Sequence, residues 1–379
     1  MKYTLSEDVE KYLTETQEEL LGLIKDLCRI PAPSHKEHNR AAFCKKWLED
    51  AGAKGVYIDE ALNVVYPIAC DKGSIVVFMA HTDTVFPDLK PMPMTEKDGK
   101  LYCPGVCDDT ANLAVLMMMA KYVTQRGFEP KQGLLFVANS CEEGLGNLKG
   151  SRQIMKDYGE RIQAVFSFDG GYTGISNNAV GSTRYRVEVK TEGGHSYGSF
   201  GNRNAIAYLA SMIQTLYNMK VPTKAKTTFN VGMVSGGTSV NTIAQQAEML
   251  YEYRSEDRAC LAVMERMFGA VVEAYRAMDI EVNVEILGQR PCKGDVDETE
   301  QERLTKKCLD IVTKYVGSVP ECSAGSTDCN IPLSMGIPAV CVGVCHGQGA
   351  HTREEWLEIS SLKAGSRVGA ALILDYFNV

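Results

Sequence analysis

Short apolar segments alternate with helical patterns through the first 170 residues, and this alternation restricts the fold more than any other feature of the sequence. Residues 74–80 form a continuous apolar run, which is typical of a strand buried on both faces of a parallel sheet. Further strands are predicted at 134–139 and 164–168, and each is preceded by a helical pattern. This order predicts an α/β domain with a mostly parallel sheet covered on both faces by helices.

Two helices are expected before the first of these strands. Residues 9–28 have helical apolar spacing and end before Pro31, which predicts one continuous helix. Ser34 and Glu37 have the spacing of a capping box, so a second helix is expected to begin there and to end near Gly52.

The pattern changes near Gly181 and resumes after residue 290. In between, alternating strands and two helices follow the order βαββαβ, with Asn204 as the expected cap of the first helix. This order is that of a ferredoxin-like α+β domain of about a hundred residues. We therefore expect one α/β domain, residues 1–181 and 291–379, interrupted by a smaller inserted domain, residues 182–290.

Composition excludes several classes of function. The chain has 379 residues, and its 40 Lys and Arg against 48 Asp and Glu give a net charge of −8. No long basic run is present, which argues against nucleic acid as the main partner. The most apolar helical segment, 114–120, is too short to span a bilayer. The N-terminus is charged and the thirteen cysteines are scattered, so we expect a cytoplasmic protein with reduced thiols.

His81 follows the apolar run directly, at the carboxyl end of a strand, where α/β sheets bind ligands. Asp83 lies two residues further on. In this spacing its carboxylate can fix the tautomer of the imidazole and leave the other ring nitrogen for a metal ion. A strand-end histidine bonded to the carboxylate of a nearby turn has the same spacing, so this pair alone leaves both interpretations open.

Acidic residues recur where other predicted elements begin or end. They are Asp108-Asp109, Glu142-Glu143 and Asp169. Any one of these carboxylates could simply cap a helix. Together on one edge of a sheet they would repel one another, and bound divalent cations would relieve the repulsion. Two such cations, three carboxylates and one hydroxide sum to zero charge, which is the composition of a hydrolytic centre with a bridging nucleophile.

The ordered set of motifs resembles the M20 metallopeptidase family, and most closely its peptidase T-like branch of tripeptide aminopeptidases. The resemblance runs from about residue 20 to the C-terminus. The motifs that carry it are His81-Thr82-Asp83, Asp108-Asp109, Glu142-Glu143, Asp169-Gly170-Gly171, Gly194-His195-Ser196 and His351. Thr110 departs from the pattern, because many relatives have lysine there.

The resemblance implies two bound divalent metal ions, usually zinc, with Asp108 as the ligand that both share. His81 and Asp169 would complete one site, and Glu143 and His351 the other. Cobalt or manganese would suit the same nitrogen and oxygen ligands. The family also often has a cis peptide bond after the shared aspartate.

Other residues acquire roles by the same resemblance. Glu142 would be the general base, which activates the bridging water and passes its proton to the leaving amine. His195, in a glycine-flanked loop of the inserted domain, would stabilise the tetrahedral oxyanion, commonly in the active site of the partner subunit. The inserted domain would therefore serve as a lid and as the contact surface of a homodimer.

Three further residues are expected to bind substrate. Asn241 and Arg254 have the spacing of family residues that bind the carboxylate or the backbone of the substrate, and Ser326 lies in a turn that resembles a substrate loop. For Arg254, a surface ion pair with Glu252 or Glu256 is the alternative.

The resulting expectation is a hydrolase that cleaves a peptide bond of small peptides as an aminopeptidase, without nucleic acid or membrane partners. The same metal site would serve an N-acyl amino acid deacylase, a carboxypeptidase or a dipeptidase, and the sequence leaves these alternatives open. A non-catalytic binding protein is disfavoured, because such a protein would have no chemical reason to keep Glu142 beside a complete ligand set.

Overall fold

The apolar run becomes a strand, Ile75–His81, that is buried along its whole length. The structure is a computed structural model, and it describes residues 3–71 and 73–378. The chain divides into two units, the first comprising residues 1–179 and 294–379 and the second residues 180–293. The roles expected for them, catalytic for the first and lid and dimer contact for the second, stay predictions.

The first part of the first unit contains five helices and eight strands within the described residues. The helices are α1 (Glu7–Glu15), α2 (Gln17–Cys28), α3 (His38–Asp50), α4 (Ala111–Arg126) and α5 (Lys149–Tyr158). The strands are β1 (Tyr57–Ile58), β2 (Val64–Ile68), β3 (Ile75–His81), β4 (Thr95–Lys97), β5 (Lys100–Tyr102), β6 (Gly133–Asn139), β7 (Ile162–Ser167) and β8 (Gly174–Ala179).

The second unit and the returning chain complete the order. The second unit contains β9 (Gly181–Lys190), β10 (Gly194–His195), α6 (Ala205–Tyr217), β11 (Thr227–Gly236), β12 (Thr242–Ile243), β13 (Gln246–Ser255), α7 (Arg258–Arg276) and β14 (Glu281–Arg290). The returning chain contains α8 (Glu298–Val316), β15 (Glu321–Gly325), α9 (Asn330–Ser334), β16 (Ala339–Val342), β17 (Gly347–Gln348), β18 (Trp356–Glu358) and α10 (Leu362–Leu374). Short helical turns lie at 106–110, 144–146, 159–161 and 359–361.

The main sheet of the first unit has the strand order β1-β2-β6-β3-β7-β16-β8-β15 in the described part of the chain. Its centre is parallel, because β3 pairs with both β6 and β7, and β7 with β16, in the same direction. Alternate side chains of β3 enter two hydrophobic cores, one on each face. Val76, Phe78 and Ala80 belong to one core, and Ile75, Val77 and Met79 to the other. The predicted α/β class is confirmed.

The two helices expected at the N-terminus differ from the prediction. The predicted helix 9–28 is two helices, since Thr16 between them has a non-helical backbone conformation (φ −101°, ψ 10°). The predicted capping box is wrong, because α3 begins only at His38. The Ser34 hydroxyl donates to Asp83 (2.6 Å), and Glu37 accepts the N–H of Cys141 (3.0 Å). Tertiary partners therefore take both side chains.

The second unit has the predicted βαββαβ order, and its four long strands form a sheet in the order β11-β13-β9-β14. This is the strand order of a ferredoxin-like fold with both helices packed on one core. The side chain of Asn204 accepts the N–H of Ile206 and caps α6 as expected. Tyr185, Val187 and Val189 of β9 are buried, as their alternation with charged residues predicts.

The helices and the cysteines bear on the expectations drawn from composition. In the described part of the chain, no helix is both long and apolar enough to cross a membrane. All thirteen cysteines lie in described positions and are free thiols, and eleven of them are buried. The spacing of Cys103, Cys107, Cys341 and Cys345 in the sequence favours burial as small apolar residues over zinc binding, and all four are buried.

Candidate active site

The carboxyl ends of β3, β6 and β7 meet at one edge of the main sheet. His81, the last residue of β3, lies opposite Asn139, the last residue of β6, in a parallel register. The segments that follow these strands therefore begin side by side. They carry Asp83, Glu142 with Glu143, and Asp169, so the sheet brings together the acidic residues that the sequence scatters over about ninety positions.

The hydrogen bonds of His81 define its tautomer. Its Nδ1 lies 3.0 Å from the backbone oxygen of Asp83, so Nδ1 must carry the hydrogen of the neutral ring. The other nitrogen, Nε2, lies 3.0 Å from Oδ1 of Asp108. A lone pair then faces a carboxylate oxygen, and this contact is favourable only when a proton or a metal ion is shared between the two atoms.

Asp108 lies in an irregular turn, 106–110, that precedes α4. Asp108 and Asp109 both have non-helical backbone angles, and the peptide bond between them is cis, which the family resemblance anticipated. The side chain of Asp109 points away from that of Asp108. It accepts hydrogen bonds from the backbone N–H of His81 at 2.8 Å and from the side-chain NH₂ of Asn112 at 2.7 Å. The turn thus separates two adjacent carboxylates, of which only Asp108 faces the other proposed ligands.

Two groups of potential metal ligands share Asp108. In each group the ligand atoms lie within 4.8 Å of one another. The groups are His81, Asp108 and Asp169, and Asp108, Glu143 and His351. His351 reaches the second group from the returning chain, with its Nε2 at 3.1 Å from Asp108 and 3.2 Å from Glu143.

The electrostatics of these groups are those of carboxylates that repel one another. Burial and the charge of Asp108 raise the pKa of Glu143 to about 8 and that of Asp169 to about 7. Hydrogen bonding to Asp108 raises the pKa of His351 to about 9. Burial opposes the shift at His81, but the carboxylates of Asp109 and Asp108 raise its pKa well above the ordinary value.

The residues fit divalent metal ions by their chemistry. Each group offers one imidazole and two carboxylates, which suits zinc and similar ions. Oε1 of Glu143 is buried and, among the described residues, has no hydrogen-bond donor. A cation between the carboxylates would satisfy this oxygen and remove the repulsion that raises their pKa values.

Glu142 is buried beside the ligand groups, with 6% of its surface exposed. Its negative charge helps to raise the pKa of Asp169, although burial and the charge of Asp108 have larger effects. It also helps to raise the pKa of His351. The backbone around it is held by Asp83, which accepts the N–H of Glu142 and of Glu143. A carboxylate that is near both groups but belongs to neither is suited to moving a proton.

The remaining predicted residues are divided between the two units. Ser326 follows β15 in the first unit, whereas His195, Asn241 and Arg254 lie in the second. The pairing of β10 with β12 places His195 opposite Thr242, next to Asn241. Arg254 donates two hydrogen bonds to Glu252, at 2.9 and 3.1 Å, which is the surface ion pair considered as the alternative.

Several buried polar residues support the site and were not predicted from the sequence. Glu355 accepts backbone N–H groups of the turn before Asp108. Asn112 joins three segments, since it donates to Asp109 and Gly170 and accepts the N–H of Val344. Asp328, also fully buried, accepts from the side chain of Asn139. In the sequence, Glu355 is marked by its position four residues after His351, and Asp328 by the turn that also contains Ser326.

The carboxyl edge of the parallel sheet carries two histidine–carboxylate groups that share an aspartate, and a buried glutamate lies beside them. This arrangement defines a metallohydrolase. The family model of peptidase family M20/M25/M40 matches residues 77–375. The chain belongs to this family, and it is a hydrolase of the metallopeptidase class.

The individual relatives and solved structures similar to this chain have low sequence identity to it. Succinyl-diaminopimelate desuccinylase from Corynebacterium glutamicum is 26% identical over 367 residues, covering 91% of this chain and 94% of the relative. The structure of a tripeptidase from Staphylococcus aureus has a TM-score of 0.75 and 22% identity, covering 94% of this chain and 97% of that chain. The aminopeptidase PepT from Bacillus cereus has a TM-score of 0.71 and 21% identity, covering 94% and 98%. Similarity to these two structures establishes the fold.

Proposed function

We propose that the protein is a dinuclear metal-dependent aminopeptidase that acts on small peptides such as tripeptides. The observation that carries the proposal is that two ligand groups share Asp108 at the edge of the sheet, with Glu142 buried beside both. The likeness to tripeptidase and PepT structures supports peptides as the substrate class.

His81, Asp169 and Asp108 would hold one ion, and Asp108, Glu143 and His351 the other. Zinc is the proposed metal, and cobalt or manganese would suit the same ligands. Ions bound there would polarise the scissile carbonyl and lower the pKa of the attacking water.

Glu142 would be the general base. Its carboxylate would accept a proton from the attacking water and later deliver this proton to the leaving amine, which must be protonated to depart. Asp83 supports this role from outside the reaction centre, because it fixes both the ring of His81 and the backbone of Glu142. Asp83 is therefore proposed as a positioning residue.

His195 is suited to stabilise the oxyanion. Its Nδ1 accepts the backbone N–H of Tyr197 (3.3 Å) and of Gly198 (3.2 Å), so the hydrogen of the neutral ring lies on Nε2. His195 is exposed, and an exposed Nε2–H is a donor available to a tetrahedral oxyanion. We propose that it serves the active site of a second copy of the chain.

A homodimer through the second unit is proposed on the same grounds. Strand β11 is at one edge of the four-stranded sheet and is ten residues long. Met233 and Val234 on this strand are exposed, at 42% and 55%. A long, exposed edge strand with apolar side chains favours pairing with another chain.

Asn241, Arg254 and Ser326 are proposed as substrate-binding residues. Arg254 is suited to clamp a carboxylate, and the Glu252 carboxylate already holds its guanidinium in a bidentate pair. A substrate carboxylate would therefore have to compete with Glu252 or use the part of the guanidinium that Glu252 leaves exposed.

A second candidate function is deacylation of an N-acyl amino acid. It is favoured by the relative from Corynebacterium glutamicum, a succinyl-diaminopimelate desuccinylase that matches over 91% of this chain. The chemistry is the same amide hydrolysis, so the two candidates differ in the group that carries the scissile carbonyl: an amino acid with a free amine, or an acyl group.

Hydrolysis of an asymmetric peptide separates the candidates. Leu-Gly-Phe, its N-acetyl derivative and an N-succinyl amino acid should be incubated with the zinc-loaded protein, and the products identified by mass spectrometry. Release of leucine from the free peptide alone is expected for an aminopeptidase. Release of phenylalanine would indicate a carboxypeptidase, and cleavage of the acylated compounds alone a deacylase. A Glu142→Gln preparation, purified identically, controls for contaminating peptidases.

A further inference from the structure

Glu355 is fully buried and is not one of the proposed metal ligands, yet its carboxylate holds the turn that leads into Asp108. Gly105 donates its N–H to Oε2 at 2.5 Å, and Cys107 and Asp108 donate theirs to Oε1 at 2.7 and 2.9 Å. Backbone N–H groups that converge in this way form an anion-binding nest. Here the anion is a side chain of the protein itself.

The small sheet β17-β18-β5-β4 explains how Glu355 reaches the nest. Trp356 of β18 pairs with Tyr102 of β5, and one residue beyond this pair the backbone oxygen of Glu355 accepts the N–H of Cys103 at 3.1 Å. The register therefore places Glu355 directly beside the chain that enters the turn. Gly105 permits the turn, since it has φ +77° and an added Cβ would lie 2.6 Å from Thr84.

The same returning segment also carries a proposed metal ligand. His351 lies four residues before Glu355 and inside a turn, which the N–H of Thr352 closes by donating to the backbone oxygen of Gly349 at 2.9 Å. One segment thus supplies the imidazole of the second ligand group and the carboxylate that fixes the backbone of Asp108, the ligand shared by both groups.

We propose that Glu355 is a positioning residue that holds the Asp108 turn and the His351 segment in one geometry, so that both metal sites form together. The inference rests on the proposed function in one respect, which is that the two groups bind metal ions. It assigns no contact with substrate to Glu355.

Replacement of Glu355 by glutamine removes one of the two carboxylate oxygens that the nest binds, with almost no change in the size of the side chain. A glutamine side chain has one acceptor oxygen, and its NH₂ group cannot accept the N–H groups that face it. At least one buried backbone N–H of the turn then loses its acceptor. Loss of partners of this kind around metal ligands weakens metal binding by about 10- to 100-fold, and we expect this loss for both ions because Asp108 is common to them.

Gln301 provides a matched control. It is buried and also makes three hydrogen bonds, since its Nε2 donates to the oxygens of Asn177 and Ala339 and its Oε1 accepts the N–H of Ala339. Ala339 begins β16, which runs parallel to β7, so Gln301 lies at the edge of the sheet opposite the site. Gln301→Leu should therefore lower thermal stability without weakening metal binding.

The test is a zinc titration of the metal-free parent, Glu355→Gln and Gln301→Leu in competition with a chromophoric chelator. A fall in affinity for both ions in Glu355→Gln alone supports the inference. Parent-like affinity in Glu355→Gln, or an equal loss in Gln301→Leu, overturns it. A parent that binds no zinc, or binds two zinc ions without hydrolysing any peptide or acylated substrate, would count against the proposed function instead.

Residue-resolved hydrogen exchange on the metal-free parent keeps the inference testable if Glu355→Gln does not fold. The amides of Gly105, Cys107 and Asp108 should exchange far more slowly than the intrinsic rate for their sequence, because Glu355 accepts them before any metal is bound. Exchange at the intrinsic rate in the folded, metal-free protein would overturn the inference.

Discussion

The backbone N–H of Glu142 donates a 2.9 Å hydrogen bond to Oδ1 of Asp83, and the next N–H, of Glu143, donates to Oδ2 at 3.0 Å. The same carboxylate lies 3.4 Å from Nδ1 of His81. Asp83 is fully buried, and Ser34 supplies a further donor to it. One carboxylate thus aligns the proposed base with a proposed ligand of each metal site.

Asp83→Asn should lower metal affinity or kcat/KM by about 10- to 100-fold. The NH₂ group of the new asparagine would face the backbone N–H of Glu142 or Glu143, which it cannot accept. Zinc titration and peptide hydrolysis measure the two effects. Asp297→Asn is the matched control, since Asp297 also accepts two backbone N–H groups, as the cap of α8. An effect of equal size at Asp297 would show that Asp83 has no special role.

Glu142→Gln should lower kcat by about 100- to 10,000-fold, the usual contribution of a general base. Metal content should stay at two ions per chain, since Glu142 belongs to neither ligand group. Steady-state kinetics and metal analysis of the same preparation check both statements. Glu354→Gln, at an exposed position near His351, is the control. Parent-like turnover in Glu142→Gln would exclude it as the base.

His195→Ala should lower kcat by about 100- to 1,000-fold if it supplies an oxyanion donor. If the donor acts across a dimer, mixing this variant with Glu142→Gln and allowing subunit exchange should restore about a quarter of the parent activity, since half the dimers would then carry one intact site. Each variant incubated alone is the control. Absence of recovery despite demonstrated exchange would place His195 in its own subunit's site or outside catalysis.

Removal of metal should make stability fall as pH rises. Asp169, Glu143 and His351 have folded pKa values of about 7, 8 and 9, each above the value expected in the unfolded chain. Groups raised in this way stabilise the protein when protonated, and the stabilisation is lost as pH rises through the folded pKa. Asp108 is shifted downward, so its contribution does not change in this range.

Urea unfolding of the chelator-treated protein at pH 5.5 and 8.5 measures this effect. We expect a lower free energy of unfolding at pH 8.5, and zinc should restore stability there more than at pH 5.5, because the ligands bind metal in their deprotonated forms. Greater stability of the metal-free protein at pH 8.5 would contradict the assigned shifts. Chelation should also abolish peptide hydrolysis at either pH.

The sequence by itself determined the order of strands and helices and the carboxylates at their ends. Apolar periodicity depends only on local spacing, so β3, β6, β7 and the whole βαββαβ order of the second unit could be predicted. Parallel strands of one sheet end at a common edge, and this is why the sequence alone predicts that His81, Glu143 and Asp169 meet.

Only the tertiary structure decided which partners the buried polar groups have. Ser34 and Glu37 have a helix-capping spacing, but the carboxylate of Asp83 and the N–H of Cys141 take them instead. Glu355 reaches the turn at Asp108 through the pairing of β18 with β5, about 250 positions away in the chain. Local spacing holds no information about such pairs, because a buried hydrogen bond depends on which segments pack together once the chain has folded.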